Sequence, residues 1–334
     1  MSDRINREWL LASRPVGMVK PSDFEFRETP VADLAEGEYL VRNLYLSFDP
    51  TMRGWMEDRE SYMPPVAIGE VMRCTAVGQV VESKNPSFGP GDIVQGLLGM
   101  QELAIAGRGF TYGTPVPEGT PLTWSLSVLG LTGMTAYFGL LDLGQPKKGD
   151  TVLVSGAAGA TGSVAAQIAK LEGCRVVGIA GGTEKCSWLT GEVGLDAAID
   201  YKAENIAQRI KELCPDGVDV YFDNVGGPIL DAALENLAMR ARVVLCGGIS
   251  GYNEEEPPPG PRNLMNLVLK RSRMEGFIII DYMDRFPEAG AKLAQWMREG
   301  KIVNREDIQV GIENAPETFL RLFRGQNIGK QLLK

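Results

Sequence analysis

The sequence predicts an α/β protein in which an irregular β-rich half precedes a doubly wound parallel sheet. Two observations carry this. Up to about residue 125, short strand-like runs are separated by Pro and Gly; from about Gly149, hydrophobic runs and helix-period segments alternate. The length of 334 residues adds a third, because a chain this long is more readily divided into two domains than packed as one.

In the first half, the runs "EYLVRNLYLSFD" (Glu38–Asp49), "EVMRCTAVGQVVES" (Glu70–Ser83) and "DIVQGLLG" (Asp92–Gly99) read as strands, with "NPSFGPGD" as punctuation. In the second, strands are expected at Thr151–Ser155, Arg175–Ala180, Ala197–Asp200, Val218–Asp223 and Arg242–Cys246. Between them, Val164, Ile168 and Leu171 recur at helical spacing. Helical texture returns at Lys185–Glu192, at Ala203–Cys214 with Ile206, Ile210 and Leu213 on one face, and at Pro228–Leu237. The prolines of "NEEEPPPGPRN" (Asn253–Asn263) make that segment an exposed loop. A further strand is expected at Arg273–Ile280 and a helix at Arg285–Gly300. By pattern alone the terminal "IGKQLLK" fits either a strand returning to the first half or a surface tail.

Composition narrows the function. With 43 acidic against 34 basic residues and a formal charge of −9, no long basic stripe is available to neutralise phosphates, which argues against nucleic acid as a partner. The opening "MSDRINREWLLASRP" is charged where a signal peptide needs an apolar core, and no apolar run approaches 18 residues. A soluble cytoplasmic protein without membrane association is expected. Cys74, Cys174, Cys186, Cys214 and Cys246 are scattered, as unpaired thiols of a reducing compartment would be. The chain contains no histidine. That removes the imidazole base, the Ser–His–Asp and Cys–His systems, and histidine metal ligation; the cysteines are too dispersed for a four-cysteine zinc site. No metal is expected.

The most informative stretch is "VLVSGAAGATGSVAAQIAKLEGCRVVGIAGG" (Val152–Gly182). It carries Ala157-x-Gly159-x-x-Gly162, a dinucleotide fingerprint with alanine in its first glycine position. Gly159 would let the backbone approach a pyrophosphate and Gly162 would let the helix lie close to its strand. The amides of Ala160, Thr161 and Gly162 would face the phosphates. An NAD site ordinarily ends its second strand with an acid that accepts from the ribose hydroxyls. Here the strand ends Ala180-Gly181-Gly182-Thr183, with Lys185 close by. A 2'-phosphate therefore meets no repelling carboxylate, and Lys185 and Tyr201 are candidates to receive it. NADPH is preferred over NADH. A solvated helix-start lysine is the competing reading of Lys185.

Six motifs together make the chain similar, over essentially its whole length, to the zinc-independent medium-chain dehydrogenase/reductase superfamily. They are "DPTMRGWM" (Asp49–Met56), "LTGMTAYFGLLDLG" (Leu131–Gly144), "GAAGATGSVAAQIAK" (Gly156–Lys170), "FDNVGG" (Phe222–Gly227), "CGGISGYN" (Cys246–Asn253) and "NIGKQLLK" (Asn327–Lys334). Within that superfamily the chain resembles the leukotriene B4 12-hydroxydehydrogenase, prostaglandin reductase and alkenal double-bond reductase group. "IGEVM" (Ile68–Met72) stands where zinc-dependent relatives carry a Gly-His-Glu ligand motif.

The resemblance implies a GroES-like β domain over residues 1–125, a Rossmann NADP-binding domain over 126–300, and a C-terminal segment, 301–334, returning to the first domain. It places the cofactor in the cleft between them and implies a homodimer through the nucleotide-binding domains. The activity implied is NADPH-dependent reduction of the C=C bond of an enone or enal; quinone reduction and a non-catalytic NADPH-binding or structural role are the alternatives. By resemblance, Lys185 and Tyr201 contact the 2'-phosphate, Asn327 meets the cofactor near its reactive half, and Met134, Thr135 and Asn224 line the same cleft. Tyr252 is the implied proton donor or orienting group, against a reading in which it only packs on the cofactor. Tyr62 is a candidate aromatic lip, with a structural role the stronger reading. Two departures from the group, Thr51 for Tyr and Ile280-Asp281 for Tyr-Arg, border the substrate region and leave open the substrate, prostaglandins and leukotrienes above all.

Overall fold

In the computed structural model, which describes residues 4–256 and 258–334, the chain divides into two units: Met1–Leu126 with Glu306–Lys334, and Ser127–Arg305. The first unit opens with β1 (Ile5–Leu11) and β2 (Phe24–Pro30), an antiparallel pair registered from Ile5↔Pro30 to Leu11↔Phe24. It continues through β3 (Tyr39–Ser47), the short α1 (Met52–Trp55), β4 (Thr75–Ser83), β5 (Ile93–Leu97), β6 (Leu103–Ala106) and β7 (Tyr112–Pro115). The second unit contains α2 (Leu131–Phe138), β8 (Thr151–Ser155), α3 (Ala160–Leu171), β9 (Arg175–Ala180), α4 (Thr183–Gly191), β10 (Ala197–Asp200) and α5 (Ile206–Leu213). It is completed by β11 (Val218–Asp223), α6 (Gly227–Glu235), β12 (Leu237–Leu245), α7 (Met265–Leu269), β13 (Arg273–Gly276) and α8 (Phe286–Arg298). The chain then re-enters the first unit as β14 (Glu306–Gln309), α9 (Ala315–Phe323) and β15 (Lys330–Leu333).

The first unit is a mixed sheet of order β14-β15-β3-β4-β5-β7, with β6 also paired to β3. The terminal segment is thus a strand and not a tail: β15 runs antiparallel to β3, with Leu332 opposite Ser47, and parallel to β14. The α9 crossover buries Phe319 and Leu320 in the core formed by Leu11, Phe24, Val41, Phe48 and Met72. Register shifts at Leu40/Val41 and Asn43/Tyr45 bend β3, the local irregularity that lets one strand serve several neighbours.

The second unit is a parallel sheet of order β10-β9-β8-β11-β12-β13. Numbered from β8, this is the 3-2-1-4-5-6 order of a Rossmann sheet, and direction reverses between β8 and β11. The central strands are buried on both faces, which is why they read as continuous apolar runs. In α5, Ile210 is buried while Ile206 and Leu213 pack at the edge of the same core, as their spacing requires. The helix begins at Ile206 and not at Ala203, because the Asn205 side chain accepts from the Gln208 amide and caps it there.

Two boundaries differ from expectation for reasons of packing. The strand expected through Ile280 stops at Gly276, and Ile279–Arg285 is a 3-10 turn. Phe277 fills the space over Gly139, where a Cβ would lie 2.5 Å from its ring, and Tyr282 stacks on Phe138 with ring centroids 4.8 Å apart. Strand β12 begins at Leu237, the last residue read as helix and five residues before the expected start at Arg242. The loop Asn253–Asn263 is irregular over its described residues; Pro257 lies outside them. Among the described residues no helix is long and apolar enough to cross a membrane.

Candidate active site

The glycine loop joins β8 to α3 at the reversal point of the sheet. Gly156 has φ +58°, a left-handed turn that a side chain would strain. The Ala157 amide donates to Ile179 O, tying the turn to β9. A Cβ on Gly162 would lie 2.3 Å from Gly156 O, so the helix can approach the loop only with glycine there. Gly159 occupies the N-cap of α3 and has no side chain to cap it. The amides of Ala160, Thr161 and Gly162 therefore open the helix without a capping oxygen, as a phosphate-accepting helix start requires. Alanine at position 157 is no obstacle, since its side chain is fully buried beneath the turn.

At the end of β9, a Cβ on Gly181 would lie 2.7 Å from the Tyr201 ring and 2.9 Å from Lys202 Cε. Gly181 and Tyr201 are thus brought together, and Lys202 joins them, a cation that reading the sequence missed although it adjoins Tyr201. Lys185 lies in the first turn of α4, which starts at the same corner. The nearby acid Asp200 is committed to the backbone: its Oδ1 accepts from the amides of Gly182 and Lys202, at 2.8 and 3.0 Å.

Across the reversal point, Asp223 is fully buried at the end of β11. Its Oδ1 accepts from Ser155 Oγ, Tyr221 Oη and the amides of Val225 and Gly226, at 2.7–3.0 Å. The Asn224 side chain donates to Ser155 O at 2.7 Å, and its amide donates to Ser155 Oγ at 2.9 Å. Burial, reinforced by the Asp223 charge, holds the Tyr221 phenol well above its usual range and so protonated as a donor. Asn224 is in this way locked beside Gly156.

The loop after β12 carries Tyr252. Its hydroxyl accepts from the Gly248 amide at 3.1 Å and lies against Gly247, whose Cβ would come within 3.0 Å. A cavity of about 660 Å³ opens at the C-terminal ends of β11, β12 and β13, lined among others by Asp223, Leu230, Cys246, Gly247, Phe277 and Asp281. Its lining contains two carboxylates and no Lys or Arg. Asp281 lies in the segment where the chain departs from its family, expected to border the substrate region, while Phe277 carries no local signal and is brought here by the fold. The Cys246 thiol is pushed up to about 12 by burial and then by Asp223, which makes it a poor nucleophile.

Met134 is buried in α2 with its methyl group against Gly290 of α8, and the Thr135 hydroxyl donates to Leu131 O at 2.7 Å. In the first unit, Asn327 donates to Gly329 O at 3.0 Å just before β15. The buried Lys330 ammonium pairs with Asp49 and donates to Phe48 O. The hydroxyls of Thr51 and Tyr62 hydrogen-bond to each other. Among the described residues, no three His, Cys, Asp or Glu side chains cluster as a metal-ligand set.

Residues 7–111 match the family described as the N-terminal domain of oxidoreductase, and residues 160–295 the family described as zinc-binding dehydrogenase. The chain is 47% identical to the NADPH-dependent curcumin reductase of Escherichia coli (strain K12), covering 98% of this chain and 96% of that protein. It is 40% identical to the 2-alkenal reductase (NADP(+)-dependent) of Nicotiana tabacum, covering 98% and 97%. Among solved structures it is similar to CurA from Vibrio vulnificus in complex with NADPH: TM-score 0.93, 44% identity, and 98% of both chains covered.

Proposed function

The chain belongs to the zinc-independent medium-chain dehydrogenase/reductase family, and from that premise we propose that it uses NADPH to reduce the C=C bond of α,β-unsaturated ketones or aldehydes. The observation that carries the reading is the glycine cradle at the sheet reversal, with its open α3 amides and a corner holding Lys185, Tyr201 and Lys202 but no uncommitted acid at the end of β9. These residues fit a dinucleotide bearing a 2'-phosphate.

In this assignment Ala157, Gly159, Ala160, Thr161 and Gly162 receive the pyrophosphate, while Gly181, Lys185 and Tyr201 receive the phosphorylated ribose. The other half of the cofactor extends over Asn224 and Tyr252 into the cavity at the ends of β11–β13. Met134 and Thr135 serve as walls, because the methionine is buried and the threonine hydroxyl is already bonded to its own helix. Asn327 is assigned to the reactive half from the family motif. When bound, NADPH supplies two electrons and one hydrogen to the β-carbon, and a proton at the α-carbon completes the saturated carbonyl product. Tyr252 is the chain's hydroxyl for that site: the Gly248 amide fixes its oxygen, where it can hydrogen-bond the carbonyl oxygen as negative charge develops.

A steady-state screen of NADPH and NADH against enals, cyclic enones, bulky enones and quinones tests the reading. Turnover of enones or enals with NADPH is expected. Quinone-only turnover, or tight NADPH binding without oxidation across the panel, would overturn it. In the same assay Tyr252→Phe should lower kcat; an unchanged kcat would reduce Tyr252 to a packing role.

A homodimer through the second unit is part of the proposal. Met265, Val268 and Leu269 on α7 are 66, 65 and 66% exposed, and β13 pairs on one side only, with β12, among the described residues. An apolar helix face beside an open strand edge suits a second copy of the chain.

A further inference from the structure

At the opposite end of the same strands lies a second cavity, of about 350 Å³, lined by Arg240, Ala241, Arg242, Arg271, Ser272 and Arg273. Four guanidinium groups around one small cavity are unexpected in a chain of net charge −9. Chain geometry makes the cluster. Between Val218 and Val220 of β11 the partner on β12 jumps from Leu237 to Arg242, so Ala238–Ala241 bulges from the ladder. The Arg240 amide then donates to Lys270 O at 2.7 Å, drawing the bulge onto the turn before β13. Arg242 and Arg273 come directly opposite each other on adjacent strands, a like-charge pairing that is unfavourable by itself.

Two of the arginines have structural work. Arg242 donates to Gly144 O and Gln145 O and pairs with Asp150; Arg273 donates to Leu143 O at 2.6 Å and has Glu275 4.0 Å away. These contacts hold two planar guanidinium groups rigid without occupying all their N–H donors. Arg240 and Arg271 have no such explanation. Both are exposed, and among the described residues neither is paired with a carboxylate; Arg271 reaches only Met239 Sδ, at 3.8 Å. The Ser272 hydroxyl, on the residue after Arg271, is buried and has no hydrogen-bond partner among the described residues.

The backbone singles out the same place. Three described non-glycine residues have positive φ: Gln145 (45°), Arg240 (61°) and Arg271 (51°). Two line the cavity, and the third supplies a carbonyl that anchors Arg242. Left-handed backbone is unfavourable for residues with side chains and gathers where function demands it.

We propose that this cavity is a binding site for a small multivalent oxyanion, separate from the cofactor site, in which Arg240 and Arg271 close on a ligand seated against Arg242, Arg273 and the Ser272 hydroxyl. Guanidinium groups match phosphate and carboxylate oxygens in pairs, and convergent positive charge favours dianions over chloride. Phosphate-bearing and polycarboxylate molecules share this chemistry.

The test is isothermal titration of the full-length enzyme saturated with NADPH, so that the 2'-phosphate site is filled, at constant ionic strength set with chloride. Pyrophosphate and citrate are titrated separately, with acetate as the monovalent control. Saturable binding of pyrophosphate or citrate, weakened at least about tenfold in Arg240→Gln/Arg271→Gln with KM for NADPH unchanged, supports the site, and the tighter ligand identifies the source. No saturable binding, or equal affinity in wild type and variant, overturns it. Should the double variant lose NADPH binding, the single Arg271→Gln variant is judged by the same criterion.

Discussion

Asp223 and Asp200 are both acids at strand ends near the glycine loop, and each accepts hydrogen bonds from its own loop. Asp223 gathers four donors on one oxygen; Asp200 is held by two backbone amides. In each case the donors on Oδ1 tie the carboxylate to its own loop, while Asp223 Oδ2, beside the cavity, is buried without a hydrogen-bond partner among the described residues. In the proposed assignment the cofactor preference rests on cations, and Lys185→Ala should raise KM for NADPH by about tenfold, the worth of one charge-assisted contact, while leaving KM for NADH unchanged. Equal loss for both cofactors would assign Lys185 to helix stability and leave Lys202 and Tyr201 to carry the selectivity. Lys185 is a candidate from its place after a second strand that ends without an acid, and the structure puts it in the first turn of α4. Lys202 adjoins the candidate Tyr201 in the chain, and its contact with Gly181 puts it at the same corner.

Elements show where close approach dictates sequence. Helix α3 can lie on its loop only because Gly162 has no side chain; Gly162→Ala places a methyl carbon 2.3 Å from Gly156 O. Urea denaturation should show a loss of about 2 kcal/mol, the usual range for overpacking, and NADPH affinity should fall because the α3 amides are displaced. Retained affinity would mean that the cradle is not the pyrophosphate site. In the first unit, Lys330 of β15 is 2% exposed and pairs with Asp49 at the end of β3, where the Ser47 hydroxyl also donates to Asp49. Lys330→Met leaves that carboxylate beside an apolar chain and should destabilise by about 3 kcal/mol, with Asp49→Asn/Lys330→Met recovering part of the loss. Equal losses in the single and double variants would show that packing, not charge, decides. The role of "IGKQLLK" is open by pattern because two adjacent leucines among polar residues fit a short strand or a tail equally well; pairing with β3 settles it.

At the scale of the whole molecule, the thiols respond together to pH. Burial pushes Cys174 and Cys214 up to about 11 and Cys246 up to about 12, from an ordinary value of 9.0. The folded state thus prefers neutral thiols, and the unfolded chain releases these protons first as pH rises. The stabilisation they lend is complete below pH 9 and disappears as pH climbs through 11 to 12. Thermal melts should show Tm falling across that window, with a smaller fall in a Cys174→Ala/Cys214→Ala variant; identical slopes would assign the effect to other groups. Light scattering should give twice the protomer mass, and Val268→Glu/Leu269→Glu should halve it. A monomeric wild type would remove the case for α7 as an interface.

Much of this protein was decided by local sequence. Alternating apolar runs and helical periods specify the parallel sheet, the glycine spacing specifies a phosphate-accepting helix start, and the missing acid after Ala180 points to the phosphorylated cofactor. Each of these depends on residues within one or two turns of chain, where spacing alone sets which side chains face the same way. Other features arise only in three dimensions: Lys202 beside Gly181, Phe277 over Gly139, and four arginines brought together from β12, β13 and the turn before β13. Residues roughly 20 to 140 positions apart become neighbours through strand order and a bulge in one ladder, and no periodicity along the chain encodes such a meeting.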